Sequence, residues 1–242
     1  MLPAKNPGRV VNRLLGRLPE KDQRQVLTHC ELVDLEAAEV LSEPGDRIRY
    51  LYFPTDSYVS LTTPPADHPG LGVRLVGREG MIGTPLILDV EVALLRTFVQ
   101  GGGHAWRMTA ERFREALRES SALRTTLNCY LYVVTSQIAH LVACTRFHLL
   151  EARLARSLLV TQDRAHADYF HVTHDFLASM LGVRRVGVTK AAIRLQRDAL
   201  IGYRRGDIRI LDRPGLIAAA CCCYRADEAL YERILGTPEW ED

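Results

Sequence analysis

Residues 173–200, THDFLASMLGVRRVGVTKAAIRLQRDAL, decide how the chain is read. They read as two short helices broken by a glycine. The first, about Thr173 to Leu181, opens on Thr173 as N-cap with Asp175 in its first turn. Phe176, Leu177, Met180 and Leu181 recur at helical spacing and form one apolar stripe. Gly182 supplies the backbone freedom of a tight turn between helices. The second helix, about Arg184 to Leu200, places Val188, Ala191, Ala192, Leu195 and Ala199 on an inward face. Val186, Lys190, Arg194 and Arg197 lie opposite, with Arg184, Arg185 and Thr189 around the helix start. Small apolar residues inside and basic residues outside suit the major groove of a duplex. The basic face neutralises phosphates, and an arginine fork on guanine contributes about 1–3 kcal/mol of discrimination.

Amphipathic helix pairs around a glycine also occur in proteins that never touch DNA, and a charge run is commonly a solvated face. The next residues narrow the choice. Ile201 to Ile210, IGYRRGDIRI, reads as a short β-hairpin in which Ile208 and Ile210 alternate with Asp207 and Arg209. Gly206 marks the turn. Arg204 and Arg205 beside it form a basic wing placed to meet a phosphate backbone.

Helix, turn, basic helix and basic wing in this order resemble the Crp/Fnr family of bacterial transcription regulators. Gly182-Val-Arg-Arg-Val-Gly-Val-Thr-Lys190 is similar to that family's G-x-S-R-x-T-V-x-R signature. The resemblance places Arg185 at the base-reading arginine, Lys190 at a later basic position and Thr173 near a phosphate-contacting position. Three residues depart from it. Arg184 replaces the usual serine, Val186 a glutamate that accepts from cytosine in several members, and Gly187 the usual threonine. These departures alter the expected operator rather than the DNA-binding role; Val186 offers a methyl contact to thymine.

The charge distribution agrees. The 242-residue chain has a net charge of only +2, but Thr145 to Leu216 holds thirteen Arg/Lys against seven Asp/Glu, a local +6. The remaining residues carry −4. No window approaches the ~20 apolar residues of a membrane span, and no secretory signal is read at the N-terminus. The expectation is a soluble, cytoplasmic protein with no membrane partner. The spacing of the six cysteines fits neither a zinc ribbon nor a ferredoxin-like cluster. No metal ligand or cofactor is therefore assigned. Cys221, Cys222 and Cys223 fall in an expected helix, where small-residue packing is favoured over redox sensing. The eight histidines make no ligand pattern, and no catalytic constellation emerges; the chain is not read as an enzyme.

Upstream, residues 1–9 read as a loose arm and Val10 to Cys30 as two short helices separated at Pro19. From Glu31 to Arg107 short apolar runs alternate with turn signals: VDLE, EVLSEPGD, YLYFP, YVSLTT, GVRLVG, TFVQ and WRMT. The stretch LSEPGDRIRYLYFPTDSYVSL resembles the early strands of the family's cyclic-nucleotide-binding jelly roll. The nucleotide cassette is degenerate. At Ile82-Gly83-Thr84, threonine replaces the ribose-binding glutamate, and Val92 falls near the position of the phosphate-binding arginine. A phosphate desolvated without a paired cation is unfavourable, so cyclic AMP is not expected by the usual route. Arg74, Arg78, Gly83, Thr84 and Arg96 remain the candidates for an unidentified effector.

A short helix over 109–118 precedes a long one from Ser121 to Arg146. Leu123, Leu127, Tyr130, Leu131, Val134, Ile138 and Leu141 recur at threes and fours along it. The pattern supports helix–helix packing. The resemblance supplies a second copy as partner, and packing against the chain's own β domain is the alternative. A continuing helix to Ala165 turns Leu149, Leu150, Leu154, Leu158 and Leu159 toward the DNA-binding core. Asp168 to Val172 reads as a strand. A last helix over Leu216–Leu235 is expected to cap the DNA-binding domain.

The expected fold is α+β: N-terminal arm and helices over 1–30, a β jelly roll over 31–120, a dimerisation helix over 121–146, and a winged helix-turn-helix with a helical extension over 147–242. The expected function is sequence-specific regulation of transcription as a dimer on palindromic operators. Double-stranded DNA and a second copy are the expected partners, with RNA polymerase a further candidate. A ligand-sensing protein-interaction module without DNA binding is the alternative.

Overall fold

The computed structural model describes residues 12–64 and 70–236; the arm expected over 1–9 lies outside them. Two short helices, α1 (Arg13–Gly16) and α2 (Glu20–Thr28), open the chain on either side of Pro19. Seven strands follow: β1 (Glu31–Leu35), β2 (Val40–Ser42), β3 (Tyr50–Pro54), β4 (Tyr58–Thr62), β5 (Gly72–Val76), β6 (Arg96–Gly101) and β7 (Gly103–Thr109). Each falls on one of the apolar runs read from the sequence. They form two antiparallel sheets, ordered β1-β7-β3 and β2-β6-β4-β5. Leu35, Tyr52, Val59, Val76, Ile82, Val99 and Ala105 make the layer between them.

The other face of the first sheet presents Leu51, Phe53 and Met108 to a helical layer. That layer includes α3 (Ala110–Glu119) and α4 (Ser121–Phe147). The Thr109 hydroxyl caps α3 and the Ser120 hydroxyl caps α4, at 3.3 and 3.0 Å. Leu123, Leu127, Tyr130 and Val134 of α4 are buried in this core. This corrects their assignment to a dimer seam: they face the chain's own β domain. Tyr130 carries the point furthest. Its hydroxyl accepts from the Met81 N–H at 3.1 Å and from Arg74 at 3.0 Å.

By length and composition α4 is apolar enough to cross a membrane, against expectation. Part of its apolar surface is committed to the β-domain core, and the rest forms a second, exposed face. There Leu131, Thr135, Ile138 and Val142 follow the 4-3-4 spacing of a coiled-coil seam. Ile138 is 38% and Val142 66% exposed.

The helix does not run on through residue 165. It stops at His148, whose ψ of 143° is extended, and α5 (Leu150–Ala165) begins afresh. Leu149 lies in the break and is 77% exposed rather than in the core. Leu154, Leu158 and Leu159 are buried as read, against β8 (Tyr169–His171), α6 (His174–Leu181), α7 (Arg185–Arg197), β9 (Ile201–Arg204), β10 (Asp207–Ile210) and α8 (Arg213–Ala219). The small sheet is ordered β8-β10-β9.

The expected last helix is two helices. Ala220, at φ −72° and ψ 156°, ends α8, and α9 (Cys223–Leu235) follows. Nor does α9 simply cap the C-terminal core. Tyr224 packs in that core, but Tyr231 and Leu235 are buried in the β-domain core. A single helix thus bridges both. Further contacts join them at β5 and β6: a Cβ on Gly72 would overlap the Met180 side chain, and Phe98 of β6 meets Phe176 edge-on at 6.0 Å.

Candidate nucleic-acid interface

The helix pair is built as its residues dictate. The Thr173 hydroxyl accepts from the Phe176 N–H at 3.2 Å and caps α6. Gly182 ends it at φ 63°, ψ 41°, a conformation glycine adopts at no steric cost. A Cβ there would also meet the Leu71 side chain at 2.7 Å. Arg184 then occupies the N-cap of α7 with extended backbone. Val188, Ala191, Ala192 and Leu195 are buried beneath α7. Ala199 departs from the inward face expected of it. The helix ends at Arg197, and Ala199 turns exposed at φ 57° where the chain enters the wing.

What α7 leaves outside is basic. Arg184, Arg185, Lys190, Arg194 and Arg197 are exposed, and Val186 among them is 59% exposed. Arg185 lies 3.4 Å from Asp175, an exposed pair that holds the guanidinium only weakly. Arg194 is engaged by Glu151 of α5 and Arg197 by Asp198. Thr189 is drawn inward. Its hydroxyl donates to the Arg185 carbonyl at 3.1 Å and lies 3.0 Å from Nδ1 of His174. The free helix start, Arg184 to Val186, and Lys190 one turn on therefore carry the surface best placed to enter a groove.

The wing is a two-residue hairpin. Arg205 at φ 52° and Gly206 at φ 93° are its central residues, the type I′ pattern whose twist matches paired strands. Gly206 is buried, and a Cβ on it would strike the His171 ring at 2.5 Å. Arg204 and Arg205 stand exposed at the tip. Two residues that sequence reading passed over hold the wing to the helices. Tyr203 stacks on His174 with ring centroids 4.2 Å apart and planes 8° from parallel. The Tyr203 carbonyl accepts from Gln196 of α7 at 3.2 Å. Burial, then the charge of Arg185, holds His174 below its ordinary pKa. The only sequence signal for this contact was an aromatic residue inside a basic hairpin.

The effector candidates do not converge. Gly83 packs under Leu51 and Thr84 opens a 3-10 turn over Thr84–Leu88. Arg96 pairs with Glu43 at 3.3 Å on the outside of β6. Arg74 and Arg78 instead line a cavity of about 400 Å³ between β5 and the helices of the C-terminal core. The buried pair of Glu79 and Arg164, 2.9 Å apart, spans this cleft.

Residues 152–219 match the family model of the Crp-like helix-turn-helix domain. No curated protein sequence matches the chain. Among solved structures, FixK2 from Bradyrhizobium japonicum superposes with a TM-score of 0.68 at 13% identity, over 80% of this chain and 98% of that one. The c-di-GMP-responsive global regulator CLP of Xanthomonas campestris gives 0.67 at 16% identity, over 80% and 100%. A CRP-family transcriptional regulator from Thermus thermophilus gives 0.64 at 20% identity, over 78% and 96%. The molecule is thus a two-part architecture in which a β domain is joined by a long helix to a winged helix-turn-helix. Its fold is shared with transcription regulators of the Crp/Fnr type, and residues 152–219 form a Crp-like helix-turn-helix domain.

Proposed function

We propose that the chain binds double-stranded DNA as a homodimer and reads a palindromic operator without control by cyclic AMP. The observation that carries this reading is the shared exposure of Arg184, Arg185 and Lys190 on α7 with Arg204 and Arg205 on the adjoining wing. Arg185 is the base reader, Arg184 and Lys190 flank it, and Val186 offers an apolar contact to a thymine methyl. Thr173 and the wing arginines hold phosphates and fix the register. Thr189 supports the helix start through His174, and Arg194 reaches the backbone only when it leaves Glu151.

Dimerisation is supported by the exposed seam of Leu131, Thr135, Ile138 and Val142. Two copies joined there would carry two α7 helices, and a palindrome with half-sites about 34 Å apart would engage both. Independence from cyclic AMP rests on Thr84 at the usual glutamate position and on the scatter of Gly83, Thr84 and Arg96 away from Arg74 and Arg78. Selection of bound duplexes from a random pool, followed by gel shift and sedimentation of the complex, tests the reading. An inverted repeat bound by two chains is expected, with affinity unchanged by cyclic AMP. Failure to enrich any duplex over the starting pool would refute it.

A further inference from the structure

Three cysteines and a histidine, remote in sequence, meet where α4 ends and the DNA-binding core begins. Cys144 lies in the last turn of α4, and His148 caps that helix. Cys221 and Cys223 flank the loop between α8 and α9. Their four potential ligand atoms all lie within 4.8 Å of one another. Sγ of Cys144 is 3.5 Å from Sγ of Cys221, and Nδ1 of His148 is 3.6 Å from Sγ of Cys223. A zinc tetrahedron with bonds of about 2.1–2.3 Å has edges of roughly 3.4–3.8 Å. These two separations match such edges, the remaining ones stay within 4.8 Å, and the sulfur pair is far longer than the ~2.05 Å of a disulfide.

The surroundings suit a metal better than plain packing. The three sulfurs are buried and the imidazole is half-buried beside them. Zinc with three thiolates and a neutral histidine carries one net negative charge. Arg156, whose positive charge acts on both Cys144 and Cys221, offsets it. Asp227 in turn holds Arg156 at 2.7 Å. Cys222 is different. It is exposed and faces the other imidazole nitrogen, Nε2, at 3.6 Å. The sequence hid this set because its spacings, three residues between Cys144 and His148 and one between Cys221 and Cys223, are those of no common zinc module.

We propose that Cys144, His148, Cys221 and Cys223 bind one zinc ion in a closed tetrahedral site. All four positions come from the protein, so the site is structural rather than catalytic. It staples the α8–α9 loop to the end of α4, across the break at His148–Leu149. The ion therefore fixes the angle between the long helix and the DNA-reading core.

Metal analysis of the full chain, purified untagged in reducing buffer, tests this independently of DNA binding. One zinc per chain is expected. Cobalt added to the metal-free reduced chain is expected to give thiolate charge-transfer bands and the strong visible bands of a tetrahedral site. Cys144→Ser and Cys223→Ser should abolish both the zinc and the cobalt spectrum, whereas Cys222→Ser and Cys30→Ser should keep them. The cobalt titration of the unmutated chain stands even where a serine variant fails to fold. A chain that takes up neither zinc nor cobalt while reduced would overturn the proposal. So would loss of metal from Cys222→Ser equal to that from Cys223→Ser. A metal-free chain with two of its six thiols oxidised would equally overturn it, in favour of a disulfide.

Discussion

The Tyr231 hydroxyl donates to the backbone carbonyl of Glu79 at 2.7 Å, joining residues 152 positions apart. The bond is buried, and it lies in the last turns of a helix that leaves the C-terminal core at Tyr224 and enters the β-domain core at Tyr231 and Leu235. The same Glu79 side chain holds Arg164 of α5 at 2.9 Å. The turn after β5 thus receives contacts from both α5 and α9 of the C-terminal domain. Tyr231→Phe leaves a buried carbonyl without its donor, a cost of about 1–3 kcal/mol. The expected result is a lower urea midpoint with little change in dichroism, and an unchanged midpoint would mean that the contact adds nothing.

Arg185 and Arg205 should fail in different ways. With Arg185 as the proposed base reader, Arg185→Ala should cost the preferred duplex about 1–3 kcal/mol relative to a mismatched one. Arg205 is proposed on a phosphate, so Arg205→Ala should act differently. Binding should weaken alike on all sequences, and the slope of log affinity against log salt should fall by about one. Competition gel shifts at several salt concentrations read both. A salt slope that ignores Arg205 would remove the wing tip from the contact surface.

The turn geometry separates stability from binding at that same residue. Arg205 holds φ 52°, a left-handed conformation that costs a residue with a Cβ about 1 kcal/mol. Asparagine before glycine is the favoured pair for a type I′ hairpin. Arg205→Asn should therefore raise the thermal midpoint while weakening DNA binding, opposite signs from one substitution.

Strands and caps were legible because each is written locally. Apolar runs bounded by turn residues marked β1 to β7, and Thr173, Gly182 and Gly206 stand where a cap and two turns need them. The faces of α4 were not legible. Apolar residues cover two sides of it, and period alone cannot tell Leu127, which meets Phe53 and Met108 in one core, from Ile138, which meets solvent. The break at His148 escaped for a related reason: no proline or glycine marks it. The Cys144–Cys223 cluster needed the fold, because its halves belong to different helices.

Those two faces predict a contrast. Leu127→Ala should cost about 2–5 kcal/mol of stability by opening a cavity in the β-domain core. Ile138→Glu touches an exposed position, so the folded chain should keep its stability within about 0.5 kcal/mol as a monomer. A charge there on both copies would oppose association along the seam. Sedimentation should show Ile138→Glu as a folded monomer with weakened operator binding. A dimer untouched by Ile138→Glu would place the interface elsewhere.

His174 makes the reader domain sensitive to acid. The Thr189 hydroxyl spends its proton on the Arg185 carbonyl, so Nδ1 of His174 donates to Thr189 and Nε2 is unprotonated. That Nε2 is buried without a hydrogen-bond partner. Burial and the nearby Arg185 guanidinium both disfavour the imidazolium, and the folded-state pKa is lowered. A group with a lowered basic pKa binds fewer protons folded than unfolded. Stability is therefore full above about pH 6.5, the ordinary histidine value, and falls as pH drops toward the lower folded value. Thermal midpoints measured from pH 8 to pH 5 should decline below about 6.5. His174→Gln, which cannot take up the proton, should flatten part of that decline, with the rest left to His166, whose pKa burial also lowers. Because His174 stacks on Tyr203 and carries Thr189, its protonation should loosen the wing from α7 before the domain unfolds. DNA affinity should accordingly fall only at the lower pH where folded His174 takes up its proton, below the pH at which the thermal midpoint begins to decline, and His174→Gln should remove that fall in affinity.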